Sequence, residues 1–163
     1  MVQGTLKGIL LFLVGVLLMG CIPDEVCREN SEIVAGIGCE WINIDDEGLE
    51  VLQLTWDSVT MKGVENDSII YYNEKNIEQV YAPLRSDITV TALHIQWHQV
   101  ADTLWVKHKN EQNFISMACG CFIYHKIDSV WSGKHCIDSA YVVNTNVINV
   151  KEKNVVVKLK IED

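Results

Sequence analysis

The most informative pattern along this chain is a short-range alternation of apolar and polar residues. In the stretch 155–161 apolar residues occupy the odd positions, and Lys158 and Lys160 occupy two of the even positions between them. Residues 51–56 alternate in a similar way, with leucines and a tryptophan on one face. A period of two residues is typical of a β-strand that buries one face. The pattern therefore predicts strands near the middle and at the end of the chain.

Other stretches with strand-forming residues fill most of the remaining sequence. Further strands are predicted at 33–44, 66–72, 88–98, 102–109, 113–126, 128–131 and 137–143. Turn-forming residues separate several of them, at 45–48, 62–63, 132–133 and 144–146. No long stretch has the period of a helix. Many short strands at this spacing predict an all-β domain, specifically an immunoglobulin-like antiparallel β-sandwich. A change of phase at Ala92-Leu93 predicts a β-bulge.

The start of the chain has a different pattern. One positive charge, Lys7, precedes an unbroken run of apolar residues and glycines from Gly8 to Gly20. This run is too short to cross a bilayer, which takes about 20 residues, and it is typical of a signal peptide. The residues at its end, Leu18-Met19-Gly20-Cys21, resemble a bacterial lipobox. In such signals cleavage occurs before the cysteine, which carries the lipid.

These features divide the chain into three parts. We predict a lipoprotein signal peptide at 1–20, a lipidated Cys21 with a tether at 21–32, and a single β-sandwich domain at 33–163. A cysteine with two or three acyl chains holds a protein to a membrane far more firmly than one chain does. The predicted location is therefore the cell envelope, as an outer-membrane lipoprotein, and the acidic pair Asp24-Glu25 resembles signals for export to the cell surface.

The net charge of the chain limits the classes of molecule that it is expected to bind. The net charge of the whole chain is −9 at pH 7, and loss of residues 1–20 would remove one lysine and no acid. An acidic protein is not expected to bind nucleic acid, because the phosphate backbone would repel it. Export would also place the cysteines in a compartment where disulfides form.

Two polar clusters have residue types that occur in metal sites. His94 and His98 have a spacing that suits a metal on a helix, but on the predicted strand they would lie about 13 Å apart. The acidic run 45–50 lacks the alternating ligands of a calcium loop and suits a solvated turn. No nucleophile elbow, phosphate loop or dinucleotide fingerprint is present. We therefore predict no catalytic residues, no cofactor and no metal.

Asp-Ser and Asp-Thr pairs are unusually frequent. Composition alone would give about one such pair, and the chain has five, each followed by an aliphatic residue or alanine. Such pairs close turns before strands. Each triplet also resembles the acceptor of O-glycosylation in Bacteroides-type bacteria. Both readings stay open, and the glycosylation candidates are Ser58, Ser68, Thr103, Ser129 and Ser139.

The stretch 118–143 holds three of the six cysteines and two histidines. Cys119 and Cys121 would share one face of a strand. A tight turn at Ser132-Gly133 would place Cys136 opposite Ser129, away from both. The expectation is therefore a disulfide staple. A metal or thiol-redox site using Cys119, Cys121, His125, His135 and Cys136 is the alternative.

The C-terminal half contains Cys119-Gly120, Tyr124-His125, Ile137-Asp138-Ser139 and an asparagine-rich turn at 144–149. Together with the lipobox and Cys27, this pattern resembles small lipoproteins of unknown function from Bacteroidales. It implies a disulfide between Cys27 and Cys119, which would stabilise the fold by about 4–5 kcal/mol at most. A second bridge is expected from Cys39 to Cys121 or Cys136.

Taken together, these features predict a membrane-anchored, non-enzymatic binding or structural module. The resemblance supplies no activity. The partner is expected to be a protein or a glycan, and the lipid anchor is expected to hold the chain to the membrane. A carbohydrate-binding role is a further hypothesis because the chain has five tryptophans, of which Trp97, Trp105 and Trp131 could not be assigned to a face.

Overall fold

The computed structural model describes residues 26–45, 48–65 and 67–160, without the side chains of 41–54. The described chain forms eleven strands: β1 (Val34–Asp45), β2 (Gly48–Leu54), β3 (Val59–Gly63), β4 (Ile69–Glu74), β5 (Gln79–Pro83), β6 (Val90–Trp97), β7 (Val100–Ser116), β8 (Gly120–Ser132), β9 (Ile137–Val142), β10 (Asn146–Val147) and β11 (Lys153–Leu159). The prediction of an all-β fold is confirmed. No helix that could span a membrane occurs in these residues. The predicted signal peptide, Cys21, Asp46 and Glu47 lie outside them.

The strands form two sheets that pack face to face. The six-stranded sheet has the order β10-β8-β7-β6-β3-β4. The five-stranded sheet has the order β2-β1-β11-β9, and β5 also pairs with β1. β5 pairs with residues 34–38 of β1 and β2 pairs with residues 39–45, so the two short strands lie end to end along one edge. The immunoglobulin-like topology stays a prediction.

One strand pair departs from the antiparallel arrangement that was predicted. β1 and β11 are parallel, with Cys39 opposite Val157. Parallel neighbours need a long connection, and here nearly the whole domain lies between the first strand and the last. Gly36 allows the close approach, because a Cβ there would collide with the carbonyl of Glu152 and the side chain of Gln79.

The core lies between the facing surfaces of the sheets. Its largest fully buried side chains are Trp56, Ile37, Met61, Leu93, Ile95, Leu104 and Ile127. The alternation that predicted β11 holds for Val155, Val157 and Leu159, which are buried. Val156 on the opposite face is buried as well. Burial of apolar side chains of this size, at about 1.5–3 kcal/mol each, is the main force that holds the sheets together.

The predicted phase of β6 is wrong at its start. Thr91, Leu93 and Ile95 face the core, whereas Val90 and Ala92 are only half-buried. The β6–β7 ladder runs without a shift from Val90 to Trp97, so the predicted bulge at 92–93 is absent. A threonine can occupy the core position because its hydroxyl is hydrogen-bonded there. The shift lies instead between Lys107 and His108, in the pairing of β7 with β8.

The three strands predicted between 102 and 131 are two long strands. β7 and β8 form one hairpin whose turn is at 117–119, inside the stretch 113–126 that was predicted as a strand. The reason is local: Gly120 adopts a left-handed φ of 71°, and the Ser116 hydroxyl accepts the Cys119 N–H at 3.0 Å. Strands β3, β5 and β10 were not predicted, and the turns predicted at 62–63 and 144–146 are wrong in part, because Lys62-Gly63 ends β3 and Asn146 begins β10.

The predicted tight turn at Ser132-Gly133 is also wrong. The chain leaves the six-stranded sheet at Ser132 and enters the five-stranded sheet at Ile137, so Cys136 is not paired with Ser129. Asp102 of β7 makes this crossover possible. Its buried carboxylate accepts N–H groups from Thr103 (2.7 Å) and, in the crossover, from the residues His135 (2.8 Å), Cys136 (3.2 Å) and Ile137 (3.0 Å).

The surroundings of the Asp102 carboxylate favour its ionised form. Burial raises the pKa of Asp102, but the backbone hydrogen bonds from Ile137, Thr103 and His135 lower it more, so the pKa lies below its usual value. Gly133 passes so close to the carboxylate that a Cβ would collide with it. The crossover is therefore built around one ionised side chain.

Replacement of Asp102 by alanine should destabilise the protein by about 3 kcal/mol or more, because several buried N–H groups each lose an acceptor at about 1–3 kcal/mol. Asp138→Ala is the matched control, since Asp138 is exposed on β9, and should change stability by no more than about 0.5 kcal/mol. Urea unfolding midpoints measure both. Equal stability of the two variants would contradict this role.

Candidate functional site

The predicted disulfide between Cys27 and Cys119 is confirmed. It joins residues 92 apart in sequence, with their Cα atoms 4.6 Å apart. Cys119 lies in the turn of the β7–β8 hairpin, so the bond fastens the N-terminal segment to the end of that hairpin. A closed loop of this length restricts the unfolded chain strongly.

Polar contacts continue this attachment along residues 27–32. The Asn30 side chain donates to the carbonyl of Asn149 at 3.2 Å, and the Asn149 amide donates to Glu29 at 3.4 Å. Lys151 forms an ion pair with Glu32 at 2.7 Å. From Cys27 onward, the predicted tether therefore lies on the body of the domain. Only the residues before Cys27 are left to act as a tether.

A buried polar network lies on the core face of the same hairpin. The Asn110 amide nitrogen donates to the carbonyls of Ser86 and Ile88, both at 2.8 Å, so its oxygen is the acceptor. That oxygen receives Nδ1–H from His108 at 2.9 Å and from His125 at 2.7 Å. Both imidazoles therefore carry a proton on Nδ1.

The network ends at Thr91. With Nδ1 protonated, the Nε2 of a neutral His108 accepts the Thr91 hydroxyl at 2.9 Å. The Thr91 oxygen in turn accepts the N–H of Arg85 at 2.9 Å. Burial lowers the pKa of His108, and burial together with the nearby His108 lowers the pKa of His125 to about 4. Both histidines are neutral at pH 7, and through Asn110 and Thr91 the network holds the hairpin to the loop at 85–88.

A cleft of about 730 Å³ opens beside His125. Cys121, Ile123 and His125 of β8 line one side, and Tyr71 and Tyr81 are among the residues that line the other. The phenol oxygen of Tyr71 accepts the N–H of Tyr81 at 2.9 Å, which fixes the position of this hydroxyl and leaves its O–H to donate. The cleft is open to solvent, and both polar and apolar side chains line it.

An aromatic pair lies on the outer face of the six-stranded sheet. Trp105 of β7 is directly opposite Trp131 of β8, and their rings are stacked with centroids 6.1 Å apart and planes 7° apart. The side chain of Trp131 is 42% exposed. Ala92 is the partner of Trp105 on β6, so a small residue borders the pair. Such a surface can stack against the flat apolar face of a ligand.

A second cleft, of about 420 Å³, lies at the opposite end of β7 from the disulfide. Trp97, His98, His135, Cys136 and Lys160 are among its lining residues. The indole N–H of Trp97 is buried and has no hydrogen-bond partner among the described residues. The Lys160 ammonium donates to the carbonyl of Lys134 at 2.6 Å and is the cationic group among these lining residues. Trp97 itself packs against the core.

The residues of the alternative metal or redox site are not brought together. Cys119 is in the disulfide, and His125 is bound to Asn110. His135 lies beside Asp102, with Nδ1 3.6 Å from a carboxylate oxygen. No group of three or more metal-ligating side chains converges among the described residues.

The second disulfide predicted from Cys39 to Cys121 or Cys136 is wrong. Cys121 is an exposed free thiol on the hairpin, whereas Cys39 and Cys136 are buried in the core cluster. Burial raises the pKa of Cys39 to about 12 and that of Cys136 to about 11, so neither is a thiolate at neutral pH.

The five candidate glycosylation residues differ in exposure and in whether they lie within a strand. Ser68 and Ser129 are exposed, and Ser58, Thr103 and Ser139 are half-buried. Ser58 and Ser68 lie outside the strands, as the turn interpretation predicts, but Thr103, Ser129 and Ser139 lie within β7, β8 and β9. The Asp102-Thr103 pair in particular has a structural function, because its carboxylate holds the crossover.

Comparison with known proteins gives a family without an assigned role. The profile of DUF6452, described as a family of unknown function, matches residues 58–159. No curated protein and no solved structure matches the chain. The matched range contains β3 to β11, the histidine network and Cys119, and it begins after Cys27.

The histidine network makes stability depend on pH. Because the folded-state pKa of His125 is about 4 and the unfolded value is about 6.5, the unfolded state binds more protons between these values. The free energy of unfolding should therefore fall as the pH falls from 6.5 to 4. His125→Gln should make this slope shallower, whereas His98→Gln, at an exposed position, should leave it unchanged. Urea titrations across this range measure it; equal slopes in the two variants would contradict the assignment.

Proposed function

We propose that this chain, which belongs to DUF6452, a family of unknown function, is a lipid-anchored, non-enzymatic binding or structural module of the outer membrane. The observation that carries the proposal is the placement of Cys27. The lipobox ends at Cys21, and only six residues later the chain is bonded to the domain through Cys119. A lipid at Cys21 would thus hold the domain close to the membrane and in a restricted orientation.

The described polar side chains in the core support a non-enzymatic role. Asp102 accepts backbone N–H groups, Asn110 and both network histidines bond to one another, and Asn154 bonds to the backbone of Gly36 and Asn146. A general base or nucleophile needs a free polar atom within reach of a substrate. Asp102, Asn110 and Asn154 use these polar atoms to hold the fold, and so does Nδ1 of each histidine.

The anchor predicts the form of the native protein. The intact mass of the protein from its native host should include the acyl chains and glycerol on Cys21, on a polypeptide that begins at Cys21. Cys21→Ser should abolish the lipid, and Cys27→Ser is the control that should keep it while losing the disulfide. Protease shaving of intact cells tests surface exposure, for which Asp24-Glu25 is the supporting signal. A native mass without lipid would refute the anchor.

The same spectrum tests O-glycosylation. Sugar on the native protein should add mass beyond the lipid and polypeptide, and Ser68 and Ser129 are the most accessible of the five candidates. Asp128→Ala and Asp67→Ala would each remove the acidic residue of one triplet without touching a buried carboxylate. A mass equal to lipid plus polypeptide would exclude the modification.

A glycan is the partner that the outer tryptophan pair favours. The apolar face of a pyranose ring stacks on indole, and the Trp105–Trp131 pair offers such a surface beside polar groups of Thr103 and Lys107. Trp131→Ala should therefore weaken binding to glycans on an array by about tenfold, equivalent to about 1.4 kcal/mol. Tyr72→Ala, at another exposed aromatic, is the control that should bind as the unmodified protein does. Equal binding by both variants would refute this surface.

A further inference from the structure

The end of the β7–β8 hairpin extends beyond the core. Along the core-facing side of β7, His108 is 1% exposed and Phe114 is 64% exposed. Phe114 is opposite Cys121 on β8, so both belong to this same face, as does the exposed Ile123. Met117 in the turn is 89% exposed. We call residues 112–124 the hairpin tip.

The hairpin tip carries no charge. No Asp, Glu, Lys or Arg occurs between Glu111 and Lys126, although 21% of the chain is charged. Exposed apolar side chains of this kind, without charged neighbours in the same segment, mark a surface that another phase or partner covers. A charged tip would resist transfer into lipid, whereas residues 112–124 have no charge of their own to desolvate. Arg28 and Glu29, which follow the bonded Cys27 and are exposed, would stay on the water side of the contact.

The bond between the hairpin tip and the N-terminal segment indicates that the partner is the membrane. The six residue steps from Cys21 to Cys27 span at most about 20–22 Å when fully extended. Cys27 is bonded to Cys119 within the hairpin tip. Cys21 would therefore be held within that distance, plus the 4.6 Å between the disulfide-bonded Cα atoms and two residues of turn, of Met117. The bilayer surface would be available to the tip at a high effective concentration.

We propose that the hairpin tip rests in the interfacial layer of the bilayer to which Cys21 is anchored, with Phe114, Met117 and Ile123 as the lipid-contacting side chains. The inference depends on the proposed lipid anchor. Interfacial apolar groups typically enter about 5–10 Å into this layer. β7 has 17 residues and spans roughly 50 Å, so the β6–β7 turn and the cleft at Trp97 would face away from the membrane.

Depth-dependent quenching tests the proposal on the full lipidated chain in phosphatidylcholine vesicles. In a Cys121→Ser background, Met117→Cys and Gln99→Cys each carry a bimane label, and peptide mapping verifies that Cys27–Cys119 is intact. Brominated lipids should quench the label at 117 and leave the label at 99, in the β6–β7 turn, unquenched. Equal quenching at both positions would overturn the proposed orientation.

A second measurement does not depend on labels. Amide hydrogen exchange in 112–124 should slow when the lipidated protein is bound to vesicles. Phe114→Asp with Met117→Asp should abolish this protection. Val64→Asp with Tyr72→Asp, two other exposed apolar positions, should retain it. Retained protection in the tip variant would overturn the proposal.

The outcomes of these experiments distinguish a failure of the hairpin tip contact from a failure of the proposed lipid anchor. A native protein that has no lipid and does not bind vesicles refutes both. A lipidated protein that binds vesicles but leaves the 117 label unquenched refutes only the hairpin tip contact.

Discussion

The fold depends on how the chain crosses from one sheet to the other after β8. Within a few residues it must leave the six-stranded sheet and begin β9, which pairs with β11, which pairs with β1. A crossover this short cannot satisfy its own backbone N–H groups in a ladder, and unsatisfied buried donors are costly. The ionised Asp102 supplies the acceptors for three of them at once. The order of the five-stranded sheet follows from that contact.

The hairpin that provides Asp102 also connects the core to the attachment end. Its middle is buried and held by the network of His108, Asn110 and His125, and its end carries the disulfide to Cys27. The hairpin is held in the core along its middle and bonded to the N-terminal segment at its end. It therefore fixes where that segment lies relative to the core. The proposed anchor and the clefts are therefore fixed relative to one another by a single pair of strands.

Much of the fold could be predicted, but the errors share one cause. Alternation located β11 because Val155 and Val157 contribute to one buried face. The alternation did not predict that Thr91, Asp102 and Asn110 face the core, because these three residues are polar. Their hydrogen-bond partners come from distant segments, so local sequence gives no sign that burial is tolerated. Asp102 is in phase with the buried Leu104, but its pair with Thr103 was interpreted as a turn or as a glycosylation motif.

The sequence by itself determined the all-β class, the strand periods and, through resemblance, the pairing of Cys27 with Cys119. These depend on local side-chain alternation or on a pattern of positions along the chain. Only the tertiary structure decided the parallel contact of β1 with β11, the isolation of Cys121 from the buried thiols and the exposure of Phe114. Each of these is set by where one sheet ends against the other, which is a property of the assembled sheets and not of any segment.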